Sequence, residues 1–392
     1  MNNSINKNWL LTSITCFVSF SVFAAVEPAA VTIGELNLYP TVDISSSYND
    51  NFLFRENNEK SSWITRINPN FVLQGEQQNA QYQLSYGLDR GIFHSSTADN
   101  YLDHDIAAVV NLIGNSRNRV DLTASYNKGH EARGQESGGS FSTTPNPLEF
   151  DLKTLGATYT YGGLKAKGRI KLQANYSDKD FTNFRTITKT RDFSEIGAGS
   201  TFYYRMSDKA SALIEVIGSK IDYDASIRDN KNTKVLTGLT WDSTGKTTGE
   251  VKVGWSDKDF DDSTLKDTDG PTWSASATWN PKSYSTFTVN LGQDFAESNG
   301  GNSFIDTDSY SINWAHFWND RLKSTIALAT LIEDFSDSRR KDTTNNFTIG
   351  LNHDTKRWLN LGISYTLEDV NSNSPLRSYQ SNEVTFTLQA SL

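Results

Sequence analysis

Val384, Phe386, Leu388 and Ala390 alternate with Thr385, Thr387, Gln389 and Ser391 at the end of the chain. A period of two gives an extended strand one apolar and one polar face. The alternation recurs in Leu359, Leu361, Ile363, Tyr365 and Leu367, in Phe287, Val289 and Leu291, and in Ile170, Leu172, Ala174 and Tyr176. Counted this way, the chain holds about eighteen strands of about 9–14 residues, long enough to cross a bilayer when tilted. Two kinds of connection separate them. Residues 75–79, 161–163, 206–209, 280–283, 318–321 and 353–356 are short and carry the Gly, Asn, Asp and Pro of tight turns. Residues 129–148, 178–192, 257–270 and 297–308 read as long polar loops. The pattern predicts an all-β fold, a closed transmembrane antiparallel up-and-down β-barrel of about 18 strands of the outer-membrane type.

Composition agrees with that prediction. Hydrophobic residues are 36 % and mean hydropathy is -0.54. No run of eighteen or more apolar residues follows Phe23, which excludes helical spans. A barrel needs only every second strand residue to be apolar. A soluble β-repeat protein would alternate too, but Tyr161, Trp241, Trp279, Tyr284, Trp318 and Trp358 gather beside the tight turns. An interfacial aromatic girdle belongs there.

The first residues read as an address. Lys7 precedes the apolar stretch 9–23, and Val22 and Ala24 are the small residues of a cleavage site. Residues 1–24 are therefore expected to be a signal peptide, 25–38 a short periplasmic segment and 39–392 the barrel, exported to the bacterial outer membrane. The one cysteine, Cys16, lies in the signal and lacks a lipoprotein context. Cleavage would leave no cysteine chemistry and take the net charge from -9 to -10. An acidic chain without a basic aromatic patch is no nucleic-acid binder.

Candidate chemistry is sparse. The histidines 94, 104, 130, 316 and 353 show no ligand spacing. Asp103-His104-Asp105 cannot act as one unit, because successive strand residues face opposite sides. Residues 257–270 fail as an EF-hand, with Asp262 where glycine is needed and Thr268 where glutamate is needed. Tyr176-Ser-Asp-Lys-Asp-Phe181 recurs as Trp255-Ser-Asp-Lys-Asp-Phe260 and reads as an interfacial aromatic followed by a solvated acidic loop base. No catalytic constellation, metal site or cofactor is expected. By alternation the lumen carries Arg66, Asn68, Asn70, Asp89, Asp121, Lys171, Glu195, Lys252, Lys323 and Glu368 among many Gly, Ser and Thr. Such a wall suits water or sugar, or a hydrogen-bond network that fills the barrel. Pro69 interrupts a strand and predicts a bulge.

The stretches 40–55, 61–69 and 82–101, with Asp103-His104 and residues 130–134, resemble the putative β-barrel porin 2 family. That family includes outer-membrane proteins encoded with exopolysaccharide biosynthesis genes. The resemblance implies a non-enzymatic, porin-like barrel serving exopolysaccharide or capsule export, with no catalytic residues to carry over. Its expected partners are outer-membrane lipid, lipopolysaccharide, surface polysaccharide and export machinery. A general or solute-selective diffusion porin is the alternative, since eighteen strands can enclose an aqueous channel. An inward fold of the loop at 129–148, with Gly138-Gly139, Pro145 and Pro147, would constrict either pore.

Overall fold

The computed structural model describes residues 30–134, 144–163, 165–242, 245–298, 304–336 and 338–391. The expected signal peptide and its cleavage point, the Gly138-Gly139 segment and the terminal Leu392 lie outside the described residues.

A three-residue strand, β1 (Val31–Ile33), precedes the barrel strands. These begin with β2 (Leu36–Asn49), β3 (Ser62–Gln77), β4 (Ala80–Phe93), β5 (Tyr101–Asn115), β6 (Asn118–Glu131) and β7 (Leu148–Tyr161). They continue through β8 (Gly168–Phe181), β9 (Phe193–Arg205), β10 (Ala210–Tyr223), β11 (Asn230–Asp242), β12 (Thr247–Phe260) and β13 (Thr268–Lys282). The last are β14 (Ser285–Glu297), β15 (Phe304–Phe317), β16 (Leu322–Phe335), β17 (Lys341–Lys356), β18 (Leu359–Ser372) and β19 (Tyr379–Ser391). Each pairs antiparallel with its neighbours, and β19 closes on β2, with Glu383 opposite Asn49 and Ser391 opposite Thr41. The result is the expected closed 18-strand barrel, β2–β19. Closure pairs every backbone edge, which hydrocarbon demands.

The connections alternate as expected. One rim has turns of two to six residues and the other has loops of five to sixteen. Both ends of the strand series, at Leu36 and Ser391, lie at the tight rim. Exposed Tyr161, Trp279, Tyr284, Trp318 and Trp358 mark that rim.

The period of two assigns the faces. Ile349, Leu351, Ile363 and Phe386 are exposed on the outer face, where lipid covers them. Asn352, Asn360 and Thr387 alternate with such positions and are buried on the inner one.

Several expectations need correction. The barrel begins at Leu36 and not at residue 39. Residues 31–33 pair back on β2 across Gly34, whose φ of 63° favours glycine. The strands run past the expected loop starts: β8 to Phe181, β12 to Phe260 and β6 to Glu131, while β13 resumes at Thr268 and β15 at Phe304. At the strand ends the ladder is set by backbone pairing, and polar side chains do not stop it. For the same reason β17 continues through His353 to Lys356, and the chain reverses at 357–358. Pro69 makes no bulge, because Ile67 opposite Arg90 and Asn70 opposite Gly87 keep one register. The ladder toward β4 skips only Asn68 and Pro69, while Pro69 still pairs with Val42 of β2. Proline's missing N–H removes rungs without displacing the strand.

The loop rim is filled from inside. Phe52 and Leu53, from the 50–61 connection, pack on Ile64 and Phe93. Asn51 anchors that loop, donating to the carbonyls of Arg55 (2.8 Å) and Gln380 (2.9 Å). The loop's apolar side chains thus turn into the mouth. Phe181, Ile221, Tyr223, Phe260, Phe335 and Val370 are also buried near the loop-side ends of their strands.

Candidate functional site: the lumen wall

The inner face carries its charges in clusters, each built by alternation on neighbouring strands. On the seam side, Arg66 of β3 reaches across β2. Its Nη1 donates to Glu383 of β19 at 3.0 Å and to the Ser47 hydroxyl at 3.1 Å. On the next strands Asp89 of β4 stands directly opposite Asp103 of β5. The Tyr101 hydroxyl donates to both carboxylate oxygens of Asp89 at 3.3 Å. Gly91 makes this possible, since a Cβ there would lie 2.1 Å from the Tyr101 ring. His130 completes the cluster, its Nδ1 2.8 Å from Asp103 and its ring stacked on Tyr101 at 3.9 Å.

The opposed faces of Asp103 and His104 hold, for His104 lies beside the Tyr86 hydroxyl at 3.1 Å. Asp103 instead meets a histidine 27 residues on. The β5–β6 ladder ends at His104 opposite Lys128; His130 still pairs with Glu149 of β7, and on the edge left by β5 its imidazole turns to Asp103. Arg133, just past β6, pairs with Asp99. That hydrogen bond raises the pKa of the guanidinium above its ordinary value.

Two further clusters come from the repeated Ser-Asp-Lys-Asp-Phe. Both copies are strand and not loop, so their lysines point inward. Lys179 pairs with Glu131 at 2.9 Å and lies over the rings of Phe150 and Phe181, at 4.2 and 4.7 Å. Arg191 adds a bond to Glu131 at 2.7 Å. Lys258 pairs with Glu297 and donates to the side-chain oxygens of Asn230 and Asn232, both at 3.1 Å. Glu297 also accepts from Tyr223 at 3.0 Å and from Asn230 at 3.2 Å. The intervening Asp257 and Asp259 face the other way, so the expected calcium-like stretch is divided between strand and loop. Asp180, Asp192 and Asp224 converge at the loop rim, where Arg185 pairs with Asp192 and supplies the positive charge.

Nearer the tight-turn rim, Lys252 pairs with Glu215 (2.9 Å) and Glu250 (2.8 Å), and Thr201 donates to Glu215 at 2.9 Å. Lys171 is buried on β8, opposite Thr201. Lys234 holds Asp294 at 2.6 Å.

The other expected lumen residues are spread around the ring. Asp121 accepts from Asn111 at 2.8 Å, and Glu195 is buried opposite Ile221. Lys323 lies 5.5 Å from the Phe317 ring, and Glu368 accepts from Tyr379. Asn68 and Asn70 flank Pro69 on the face of Arg66. The structure thus brings Arg66 and Asp89 to one sector and Lys171 and Lys252 to another. Sequence reasoning missed Tyr101, Asp103, His130, Lys179, Glu131, Lys258, Glu297 and Glu383. Register from Asp89 would have found Tyr101 and Asp103, and parity along each strand from Asp121, Lys171, Lys252 and Thr387 would have found Glu131, Lys179, Lys258 and Glu383, whereas His130 and Glu297 break the alternation and give no such signal.

A family model described as putative beta-barrel porin 2 matches residues 24–392. No curated protein matches the chain. OpdO of Pseudomonas aeruginosa is 12 % identical over 91 % of this chain and 97 % of its own, with a TM-score of 0.50. OccAB3 of Acinetobacter baumannii is 12 % identical over 92 % of this chain and 100 % of its own, also at 0.50. At such identities the likeness is one of fold alone. The FrpB iron transporter (F3-3 variant) of Neisseria meningitidis is 10 % identical over 85 % of this chain, at 0.49. The chain spans 62 % of that transporter's length, and the match carries no argument.

Proposed function

Because the chain belongs to the putative beta-barrel porin 2 family, we propose that this porin-like outer-membrane barrel is a non-enzymatic conduit serving exopolysaccharide export. The observation that carries the reading is the pairing of lumen charges. Arg66, Lys179, Lys234, Lys252 and Lys258 each hold a carboxylate, amid hydroxyl and amide side chains. A wall whose charges are mostly paired has little field to hold a small ion. Its many exchangeable donors and acceptors can replace the water around a sliding polysaccharide without one tight site. A solute-selective porin relies instead on clustered charge of one sign at a constriction.

In this reading residues 1–24 are a cleaved signal, lipid and lipopolysaccharide surround the outer face, and surface polysaccharide with its export machinery are the functional partners. No cofactor or catalytic residue is invoked.

Deletion of the gene should lower cell-surface polysaccharide or biofilm matrix and leave uptake of small solutes unchanged. Planar-bilayer recordings of the purified barrel should show weak ion selectivity. Large steady conductance together with normal matrix in the deletion strain would replace the reading with that of a diffusion porin.

A further inference from the structure

We propose that Arg66, Asp89, Tyr101, Asp103, His130 and Glu383 form a lumen subsite for one unit of a non-acidic glycan, bound through its hydroxyl or amine donors. The inference rests on the export reading and names the class of polymer that would pass.

The first argument is the opposition of Asp89 and Asp103 on adjacent strands. Like charges directly opposite one another weaken a sheet. None of the ion pairs formed by the described residues involves Asp89, whose hydrogen bond comes from the neutral Tyr101. The guanidinium in the cluster is already held by Glu383. Three carboxylates therefore face one guanidinium and one imidazole; Glu383 is filled by Arg66, Asn49 and Thr385, so the shortage of donors falls on Asp89 and Asp103.

The second argument is capacity and access. Each carboxylate has about four acceptor positions. Here Asp89 uses one per oxygen on Tyr101, and Asp103 uses one on His130. The Asp103 side chain is 23 % exposed, so its free positions are within reach of the lumen. Beside Asp89 on the same face, Gly87 leaves the wall open, since a Cβ there would meet only the Asn70 Oδ1, at 3.7 Å. A sugar hydroxyl or ammonium supplies the missing donors, and Asn70 adds an amide at the edge. A uronate would add a fourth negative charge.

The test uses the purified full-length barrel in detergent, titrated by calorimetry with a glucosamine oligomer, cellohexaose and an oligogalacturonate. The glucosamine oligomer, the cellohexaose or both should bind, and the uronate should not. If only the glucosamine oligomer binds, the recognised donor is the amine. Asp89→Asn and Asp103→Asn should each weaken binding roughly tenfold, the loss of a charge-assisted hydrogen bond. Heat-modifiability on gels verifies that each variant is folded. Should Asp103→Asn fail to fold, Asp89→Asn alone decides. Binding of the uronate as tightly as the others, unaltered binding by the Asn variants, or no binding of any oligomer overturns the subsite. The matrix assay on the deletion strain stands apart from these outcomes. Lost matrix with no oligomer binding sinks the subsite and spares the export reading, and Asp-dependent binding with normal matrix does the reverse.

Discussion

Lys258 of β12 and Glu297 of β14 form an ion pair inside the barrel wall, with the Lys258 side chain only 1 % exposed. Glu297 also takes hydrogen bonds from Tyr223 and Asn230, so one carboxylate ties the loop-side ends of β10, β11, β12 and β14. Removing one partner of such a pair leaves a buried charge without compensation and costs about 3–5 kcal/mol. Glu297→Leu should therefore lower the urea midpoint of unfolding sharply, while Lys258→Met with Glu297→Leu should recover most of the loss. A double variant no better than Glu297→Leu would show that the pair is not the source of the effect.

The lipid face gives a second prediction. Ile363 and Val289 stand on outer positions, and Ile363→Arg or Val289→Arg should cost about 2–4 kcal/mol near the bilayer midplane. Thr288→Ser, one position away on the inner face, should be nearly silent. Gly362 is a poorer inner control, because a Cβ there would come within 2.7 Å of the Asn352 Oδ1. Refolding into lipid vesicles measures these differences, and a reversed order would mean that the faces are exchanged.

Pro69 gives a third. Its ring interrupts two rungs toward β4 while the register holds on both sides. Pro69→Ala supplies an N–H to a carbonyl already in place and should raise stability by about 1 kcal/mol. The same unfolding measurement checks it, and a large loss would reveal a strand displacement that the register does not show.

Targeting gives a fourth. N-terminal sequencing of the outer-membrane form should begin at Ala25, and the band should shift on boiling in SDS, as a closed barrel resists the detergent. An intact Met1 in the outer membrane would refute the cleaved signal.

The sequence by itself determined the strands, their number and their two faces. Ile363 and Phe386 are apolar and outward, while Thr385 and Thr387 are polar and inward, and the pleat alone enforces that alternation. The turn residues near 206–209 and 318–321 marked the tight rim, because a chain reversal in a few residues admits few side chains.

The tertiary structure alone decided the partners. Lys179 reaches Glu131, Lys258 reaches Glu297 and Arg66 reaches Glu383 because curvature brings the inner faces of non-adjacent strands together. No local pattern encodes that curvature or the stagger that sets the level of each residue. His130 shows the limit at a strand end. Alternation from Asn127 would turn it outward, yet the ladder to β5 has ended and the imidazole reaches Asp103. Periodicity is enforced by pairing on both edges of a strand. At His130 only β7 still pairs, through Glu149, and on the edge that β5 has left the side chain goes where charge and packing take it.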